Sequence, residues 1–194
     1  WDQDGNLASL LDSAMALELN VVLLLDGNPE TDYAPPADPQ DFATWAGRLA
    51  ALYGSQVTYY QIWDEPNLGS HWGGGPVNPA EYAALLAAAY DAIRAADPDA
   101  VIIAAALAPT LESGSDNLSD LEYLAQLYEL GAGAYFDVAA GKPYGFDTGP
   151  DDRRVDEGLL NFSRLILLRE VMERHGDGDS ALWAGNFGWN SLPA

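Results

Sequence analysis

Five short apolar runs set the architecture of this chain. They are four to seven residues long and cover residues 21–25, 57–63, 101–107, 135–140 and 181–184. Short, near-continuous apolar runs are typical of strands that are buried on both faces of a parallel sheet. Parallel neighbours need a crossover connection between them, usually a helix. The runs therefore predict an α/β fold with five parallel strands.

Helical periodicity fills the intervals between the runs. It predicts helices over about residues 7–19, 39–52, 79–93, 118–130 and 157–175. Two of these helices have strong start signals, Asp38-Pro39 and Asn78-Pro79, in which a capping side chain precedes proline at the first helical position. Strict alternation of strand and helix predicts right-handed crossovers on one sheet.

The connecting segments are elaborate on one side of the predicted sheet only. Each strand is followed by polar sequence rich in glycine and proline, whereas the turns from helix to strand are short. This asymmetry is typical of a TIM-barrel-like (β/α)8 fold, in which functional groups follow the carboxyl ends of the strands. A complete barrel has eight strands, and this chain supplies five. We therefore expect a single, partial barrel domain over residues 1–194.

A partial barrel leaves the two edges of its sheet open. The open sheet edges should be covered by a companion segment, by a second copy in a homo-oligomer, or by longer native sequence. The chain also begins at Trp1 rather than at methionine, which is typical of a processed or excised piece.

Composition narrows the classes of partner. The chain has 8 basic and 30 acidic residues, a net charge of −22, and therefore should not bind nucleic acid or anionic membrane surfaces. No apolar run is long enough to span a membrane. There is no cysteine and there are only two histidines, so we predict neither a transition-metal site nor a cofactor. The sequence does not fix a location, and an extracellular or membrane-tethered exterior position is compatible with it.

The second apolar run ends in the most informative motif, Gln61-Ile62-Trp63-Asp64-Glu65-Pro66-Asn67. Adjacent acids are costly to hold, and here they follow a strand at the edge where such folds place their chemistry. The motif predicts that Glu65 is the centre of the functional site.

Three segments together resemble the clan A glycoside hydrolases, family 39-like members especially. Residues 62–67 resemble the W-N-E-P-N signature, residues 142–145 resemble H-P-Y-G, and residues 181–189 are similar to P-x-W-x-T-E-F-G-W. The resemblance implies that the chain covers about strands 3 to 7 of the barrel. It also implies that Glu65 is the general acid/base and that position 186 is that of the nucleophile.

The chain departs from the family at three functional positions. Asp64 replaces the asparagine before the acid/base, Lys142 replaces the histidine of H-P-Y-G, and Asn186 replaces the nucleophilic glutamate. A retaining glycosidase needs two carboxylates about 5 Å apart, and an amide cannot attack as a carboxylate does. The substitution leaves two hypotheses open.

The first hypothesis is a glycoside hydrolase that acts on O-glycosidic bonds of an oligo- or polysaccharide, with Glu65 as general acid/base. An inverting reaction would need another carboxylate to activate water, for which Asp26 and Asp147 are candidates, or the acetamido group of the substrate could attack instead. The alternative is a catalytically inactive carbohydrate-binding or assembly module.

Lys142 is the only lysine in the chain, and we expect its ammonium to pair with Asp64, Glu65 or Asp137. The competing hypothesis is that its amine forms a Schiff base with a carbonyl substrate.

The remaining predicted site residues would bind carbohydrate. Aromatic faces suit the C–H face of a sugar ring, and polar groups after the strands can bind hydroxyls. The substrate-binding set is Asp26, Trp63, Asp64, Asn67, His71, Trp72, Lys142, Tyr144 and Trp189.

Overall fold

The computed structural model describes residues 6–189. No helix in that range is long and apolar enough to cross a membrane. The helices are α1 (Asn6–Ala16), α2 (Pro39–Tyr53), α3 (Pro79–Ala96), α4 (Asp120–Glu129) and α5 (Arg164–Arg174). The strands are β1 (Val22–Leu25), β2 (Tyr59–Asp64), β3 (Val101–Leu107), β4 (Val138–Gly141) and β5 (Ala181–Ala184). Short 3₁₀ turns cover Pro29–Thr31, Gly69–His71 and Ala132–Tyr135.

The strands form one sheet in sequence order, β1-β2-β3-β4-β5, and every neighbouring pair is parallel. Leu25 at the end of β1 lies opposite Ile62, which in turn lies opposite Ala104. The polar segments that follow the strands therefore meet at one edge of the sheet. This arrangement confirms the predicted α/β fold with a five-stranded parallel sheet.

The outer face of the sheet carries the helices and most of the core. Tyr60 and Ile62 of β2 are fully buried beneath Tyr82 and Leu86 of α3, and all four belong to one apolar cluster. The predicted caps are confirmed. The Asn78 side chain accepts hydrogen bonds from Ala80 and Glu81, and that of Asp38 accepts one from Gln40.

The inner face is curved and partly open. The rings of Tyr59 on β2 and Trp183 on β5 lie 5.4 Å apart, although two strands separate β2 from β5. Only a strongly curved sheet can bring these side chains together, as the wall of a barrel does. At the open edge, Val22 and Leu24 of β1 are 45% and 43% exposed.

Three predicted boundaries are wrong. The last helix begins at Arg164 rather than near 157, the fourth strand begins at Val138 rather than at 135, and the first helix ends at Ala16 rather than at 19. In the first case the backbone around residues 157–159 turns to give its carbonyl oxygens to the Arg164 side chain. In the second, a 3₁₀ turn occupies 132–135.

A buried ion pair joins α4 to α5. The Arg164 guanidinium donates to both carboxylate oxygens of Asp120, with its shortest contact at 2.6 Å, and both side chains are 2% exposed. The remaining guanidinium hydrogens reach the carbonyl oxygens of Glu157, Leu159 and Thr110. One side chain thus ties together the loops that follow β3 and β4.

Candidate active site

The acid pair lies at the end of β2 on an unusual backbone. Trp63 and Glu65 have φ angles of +68° and +50°, in the left-handed region that bulky residues rarely adopt. Such conformations cost about 1–3 kcal/mol each and are concentrated at functional sites. In a regular strand, Asp64 and Glu65 would point to opposite faces. Here the alternation is broken, and both carboxylates reach the same cation, the Lys142 ammonium.

The irregular backbone leaves a gap in the sheet that a tyrosine fills. The ladder between β2 and β3 pairs Ile62 with Ala104 and Asp64 with Ala106, and omits the residues between them. The Tyr82 hydroxyl donates to the Ile62 carbonyl oxygen at 2.9 Å and accepts from the Ala105 amide at 2.7 Å. A helix side chain therefore satisfies the groups that the bent strand leaves unpaired.

Lys142 at the end of β4 connects the two acids. Its ammonium lies 2.6 Å from Asp64 Oδ2 and 3.0 Å from Glu65 Oε1, and its side chain is 7% exposed. Burial acts to lower the pKa of Lys142, but its hydrogen bonds to both carboxylates outweigh burial and raise the pKa. A nucleophilic amine must be neutral, so this geometry contradicts the Schiff-base hypothesis. Asp137, another predicted partner, pairs with Arg94 instead.

His71 contacts Glu65 from the opposite side. Its Nε2 lies 3.4 Å from Glu65 Oε2, and its ring stacks on Tyr33 with centroids 4.9 Å apart. The neighbouring Trp63 indole donates to the His71 carbonyl oxygen at 2.9 Å, which fixes the loop that carries the histidine. Glu65 therefore lies between an ammonium and an imidazole. We did not predict a role for Tyr33, because nothing in its loop sequence indicates the stacking.

Gln61 is a further member of the cluster that the sequence interpretation missed. Its amide nitrogen donates to Asp64 Oδ1 at 3.3 Å and to the Trp63 carbonyl oxygen at 3.0 Å. A signal was present, because Gln61 is the one amide side chain within the otherwise apolar and aromatic part of β2. The amide helps to orient Asp64 toward Lys142.

Asp26 follows β1 and is half-buried beside the cluster. Burial raises its pKa to about 6, against the opposing hydrogen bond from the Gly27 amide. The negative charge of Asp64 raises the pKa further, and the positive ends of His71 and Lys142 lower it. A carboxyl group whose pKa is raised toward neutral pH suits the role of a general acid or base.

The raised pKa of Asp26 predicts a pH-dependent stability. Its neutral form stabilises the fold fully below the ordinary value of 3.8, and this contribution is lost as the pH rises through about 6. We expect Asp26→Asn to gain stability relative to the parent protein between pH 4 and pH 7.5, by about 1–2 kcal/mol after allowance for the partial exposure of the group. Urea unfolding at the two pH values measures the gain. Asp91→Asn, which removes an exposed carboxylate on α3, should show no such pH-dependent change.

Three predicted substrate-binding residues are inside the protein, which corrects their assignment. Asn67 is fully buried, and Trp63 and Trp72 are 1% and 4% exposed. The Trp72 indole packs edge-on against the Tyr82 ring, with centroids 6.1 Å apart, and donates to Glu81 at 3.3 Å. Asn67 and Trp72 therefore stabilise the loops around the site, whereas Trp63 also contributes to the wall of a cleft beside Asp26.

The three hydrogen bonds of Asn67 predict a stability effect. Its amide nitrogen donates to the carbonyl oxygens of Ala108 and Leu118 at 2.8 and 2.9 Å, and its oxygen accepts from the Ala108 amide at 2.9 Å. We expect Asn67→Ala to lower the free energy of unfolding by about 2–4 kcal/mol, because buried backbone groups lose their partners. Urea unfolding measures the change, and Gln40→Ala on the exposed side of α2 is the control. Equal stability of the two variants would contradict this role.

The other predicted residues follow β4 and β5. Asn186 is exposed, and among residues 6–189 its side chain forms no described hydrogen bond to the Lys142 cluster. Tyr144 and Trp189, with Phe146, line a separate open cleft of about 380 Å³. Asp147 is exposed in the same loop. The structure therefore brings together Asp64, Glu65, His71 and Lys142, with Asp26 beside them. Tyr144 and Trp189 line a different cleft.

The site contains no ready metal centre in the part of the chain that the structure describes. Over residues 6–189, no group of three or more histidine or acidic side chains is arranged to hold a metal ion. The carboxylates of Asp64 and Glu65 instead share the Lys142 ammonium.

Comparison with solved structures identifies the fold. A family 39 glycoside hydrolase from Bacteroides cellulosilyticus WH2 superposes with a TM-score of 0.71 at 16% identity, over 98% of this chain and 40% of that one. A glucosidase from Croceicoccus marinus gives 0.70 at 16% identity, over 95% and 38%. A monomeric β-xylosidase from Caulobacter crescentus CB15 gives 0.67 at 20% identity, over 98% and 42%.

The chain carries part of a glycoside hydrolase fold. It spans about two fifths of the length of these structures, and its five strands correspond to part of their (β/α)8 barrel. No protein-family model matches the chain, and no curated protein matches it. The superpositions therefore confirm the prediction of a partial barrel. At 16–20% sequence identity they show only that the fold is shared.

Proposed function

We propose that this domain acts on O-glycosidic bonds of an oligo- or polysaccharide, with Glu65 as general acid/base. The observation that carries the proposal is the placement of Glu65 on a strained backbone at the end of β2, between the Lys142 ammonium and the His71 imidazole. Strain of this kind is maintained where a side chain must be held in one position. The glycoside hydrolase fold supports the choice of substrate class.

The proposed reaction is an inverting one. Asn186 stands where the glycoside hydrolases that the chain resembles have their nucleophilic glutamate. A covalent glycosyl-enzyme intermediate is therefore not expected. Water is then the attacking group and needs a carboxylate to accept its proton. Asp26 is the better candidate of the two that the sequence indicated, because it is half-buried beside Asp64 whereas Asp147 is exposed. His71 and Lys142 would hold Glu65 in position during the proton transfers.

A panel of oligosaccharides tests the proposal. Release of reducing ends is measured for glucose, xylose, mannose, glucosamine and N-acetylglucosamine oligomers, and the anomer of the first product is read by proton NMR. Release of the inverted anomer supports the proposal. A retained anomer would contradict the inverting route, and no release on any glycan would contradict hydrolysis.

A second candidate is a carbohydrate-binding or assembly module without activity. The exposed amide of Asn186 at the expected nucleophile position and the tight pairing of Glu65 with Lys142 favour it. For this candidate we expect glycan binding without release of reducing ends. Asn186→Glu would then restore a second carboxylate and is expected to introduce turnover. Neither binding nor release would favour a purely structural role.

We also propose that further strands cover the sheet edges. Val22 and Leu24 at the β1 edge and Trp183 on β5 are 37–45% exposed, and unpaired edges invite association. Either a second copy or a companion segment would bury them. Sedimentation equilibrium should detect a stable assembly, and a monodisperse monomer whose β1 and β5 amides exchange rapidly with solvent would contradict this expectation.

A further inference from the structure

A cleft beside Asp26 has a distinct chemical character. It lies between the loop after β1 and the start of α2 and has a volume of about 420 Å³. Its walls include the rings of Phe42, Trp45 and Trp63. Of the three rings only Trp45 is partly exposed, and the buried Phe42 ring lies 5.3 Å from it and 5.6 Å from the buried Trp63 ring. Trp45 therefore supplies the accessible aromatic surface of the cleft. This aromatic cleft is large enough for one sugar ring.

The charged residues in the aromatic cleft are all acidic. Asp26 and Asp41 line it, and no lysine, arginine or histidine does so among the described residues. Asp41 belongs to the first turn of α2. Burial raises the pKa of Asp26 to about 6, which means that a cation in the cleft would relieve the cost of its charge. The net charge of −22 for the chain adds to the same preference.

An aromatic surface with carboxylates at its border selects a particular ligand. Aromatic faces attract both cations and the C–H face of a pyranose. A carboxylate binds an ammonium group through a charge-assisted hydrogen bond. Acidic sugars would be repelled, and a neutral sugar would donate only uncharged hydroxyl hydrogen bonds to the two carboxylates. A sugar that carries an amine meets all of these conditions.

We propose that the aromatic cleft binds a sugar residue with a protonated amino group, so that the substrate class of this domain is a cationic, amine-bearing glycan. This inference rests on the proposed function, because the glycoside hydrolase fold is what favours a sugar over another organic cation. Asp26 belongs both to the aromatic cleft and to the site that contains Asp64, Glu65, His71 and Lys142. Trp63 also lines the cleft, and its indole donates to the carbonyl oxygen of His71, whose ring contacts Glu65. A sugar bound here would therefore lie close to the site of Glu65.

A matched set of oligosaccharides tests the inference. Tetramers of β-1,4-linked glucosamine, N-acetylglucosamine and glucose share a linkage and a ring and differ in charge. Affinities come from isothermal titration calorimetry, with tryptophan fluorescence as a second readout. We expect the glucosamine tetramer to bind about tenfold or more tightly than the other two at low ionic strength. The preference should largely disappear near 1 M salt, where exposed charges are screened.

Two variants locate the binding. Asp41→Asn and Asp26→Asn should each lower the affinity for the glucosamine tetramer by about tenfold and change that for the glucose tetramer little. Asp91→Asn on the outer side of α3 should change neither, and circular dichroism confirms that each variant is folded. Unchanged glucosamine binding in both cleft variants would overturn the inference, because the binding would then be non-specific attraction to an acidic protein.

Different experimental results would overturn this inference and the proposed function. Equal affinity for the glucose and glucosamine tetramers would overturn the cationic preference and leave glycan recognition intact. Absence of binding by all three tetramers would overturn the inference, and the broader oligosaccharide panel would then decide the proposed function separately.

Discussion

Arg164→Met is expected to lower the free energy of unfolding by about 3–5 kcal/mol, because it leaves the buried Asp120 carboxylate without its partner. The guanidinium supplies three hydrogen bonds to that carboxylate and others to the carbonyl oxygens of Glu157, Leu159 and Thr110. Folded proteins are stable by only about 5–15 kcal/mol, so this loss is a large fraction of the total. Urea unfolding followed by circular dichroism measures it.

Two further variants separate the ion pair from general effects of losing an arginine. Arg48→Met on the exposed side of α2 should change stability by no more than about 0.5 kcal/mol. Asp120→Leu combined with Arg164→Met should recover part of the loss, because no buried charge is then unpaired. A single variant as stable as the parent protein would contradict the assigned role of Arg164.

Glu65→Gln is expected to lower the rate of glycan hydrolysis by about 10²–10⁴-fold, the usual contribution of a positioned general acid or base. The amide has nearly the shape of the carboxyl group but cannot take or give the proton. It can still accept a hydrogen bond from the Lys142 ammonium, which lies 3.0 Å from Glu65 Oε1. The fold and the glycan affinity should therefore survive. Initial rates of reducing-end release measure the effect on the substrate that the panel identifies.

The matched control is Glu170→Gln, which alters an exposed glutamate on α5. Its rate should equal that of the parent protein. If Glu65→Gln and Glu170→Gln hydrolyse at the same rate, Glu65 is not the general acid/base, whatever the activity of the protein.

The strand and helix order was predictable because it depends on local patterns. Each apolar run is short and ends in polar residues, and helices such as α2 and α3 begin with caps that the sequence states directly, Asp38-Pro39 and Asn78-Pro79. The start of α5 was not predictable from its own residues. It is set by Arg164, whose partner Asp120 lies 44 positions earlier in the chain.

The edge of the sheet on which the candidate site lies was predictable from the sequence, but some of the predicted substrate-binding residues were wrong. The position of a residue after a strand indicated the correct edge of the sheet for Asp26, Glu65 and Lys142. It could not indicate which side chains point inward. Asn67 adjoins the acid motif, but its amide is fully used by the backbone around Ala108 and Leu118.

The geometry of the acid pair could not be read from the sequence. Regular strand alternation would separate Asp64 from Glu65, and the left-handed conformations of Trp63 and Glu65 override it. Tertiary contacts offset the free-energy cost of those conformations. They include the two hydrogen bonds of the Tyr82 hydroxyl on α3. Tertiary contacts of this kind leave no local pattern in the sequence.

We propose that Glu65 is the general acid/base of a site that acts on glycans. The most direct test of this proposal is to measure binding and hydrolysis of the same oligosaccharide by the parent protein and by Glu65→Gln. We expect both proteins to bind the glycan with similar affinity and only the parent protein to release reducing ends. Equal release by both proteins, or a folded parent protein that neither binds nor hydrolyses any glycan, would contradict the proposal.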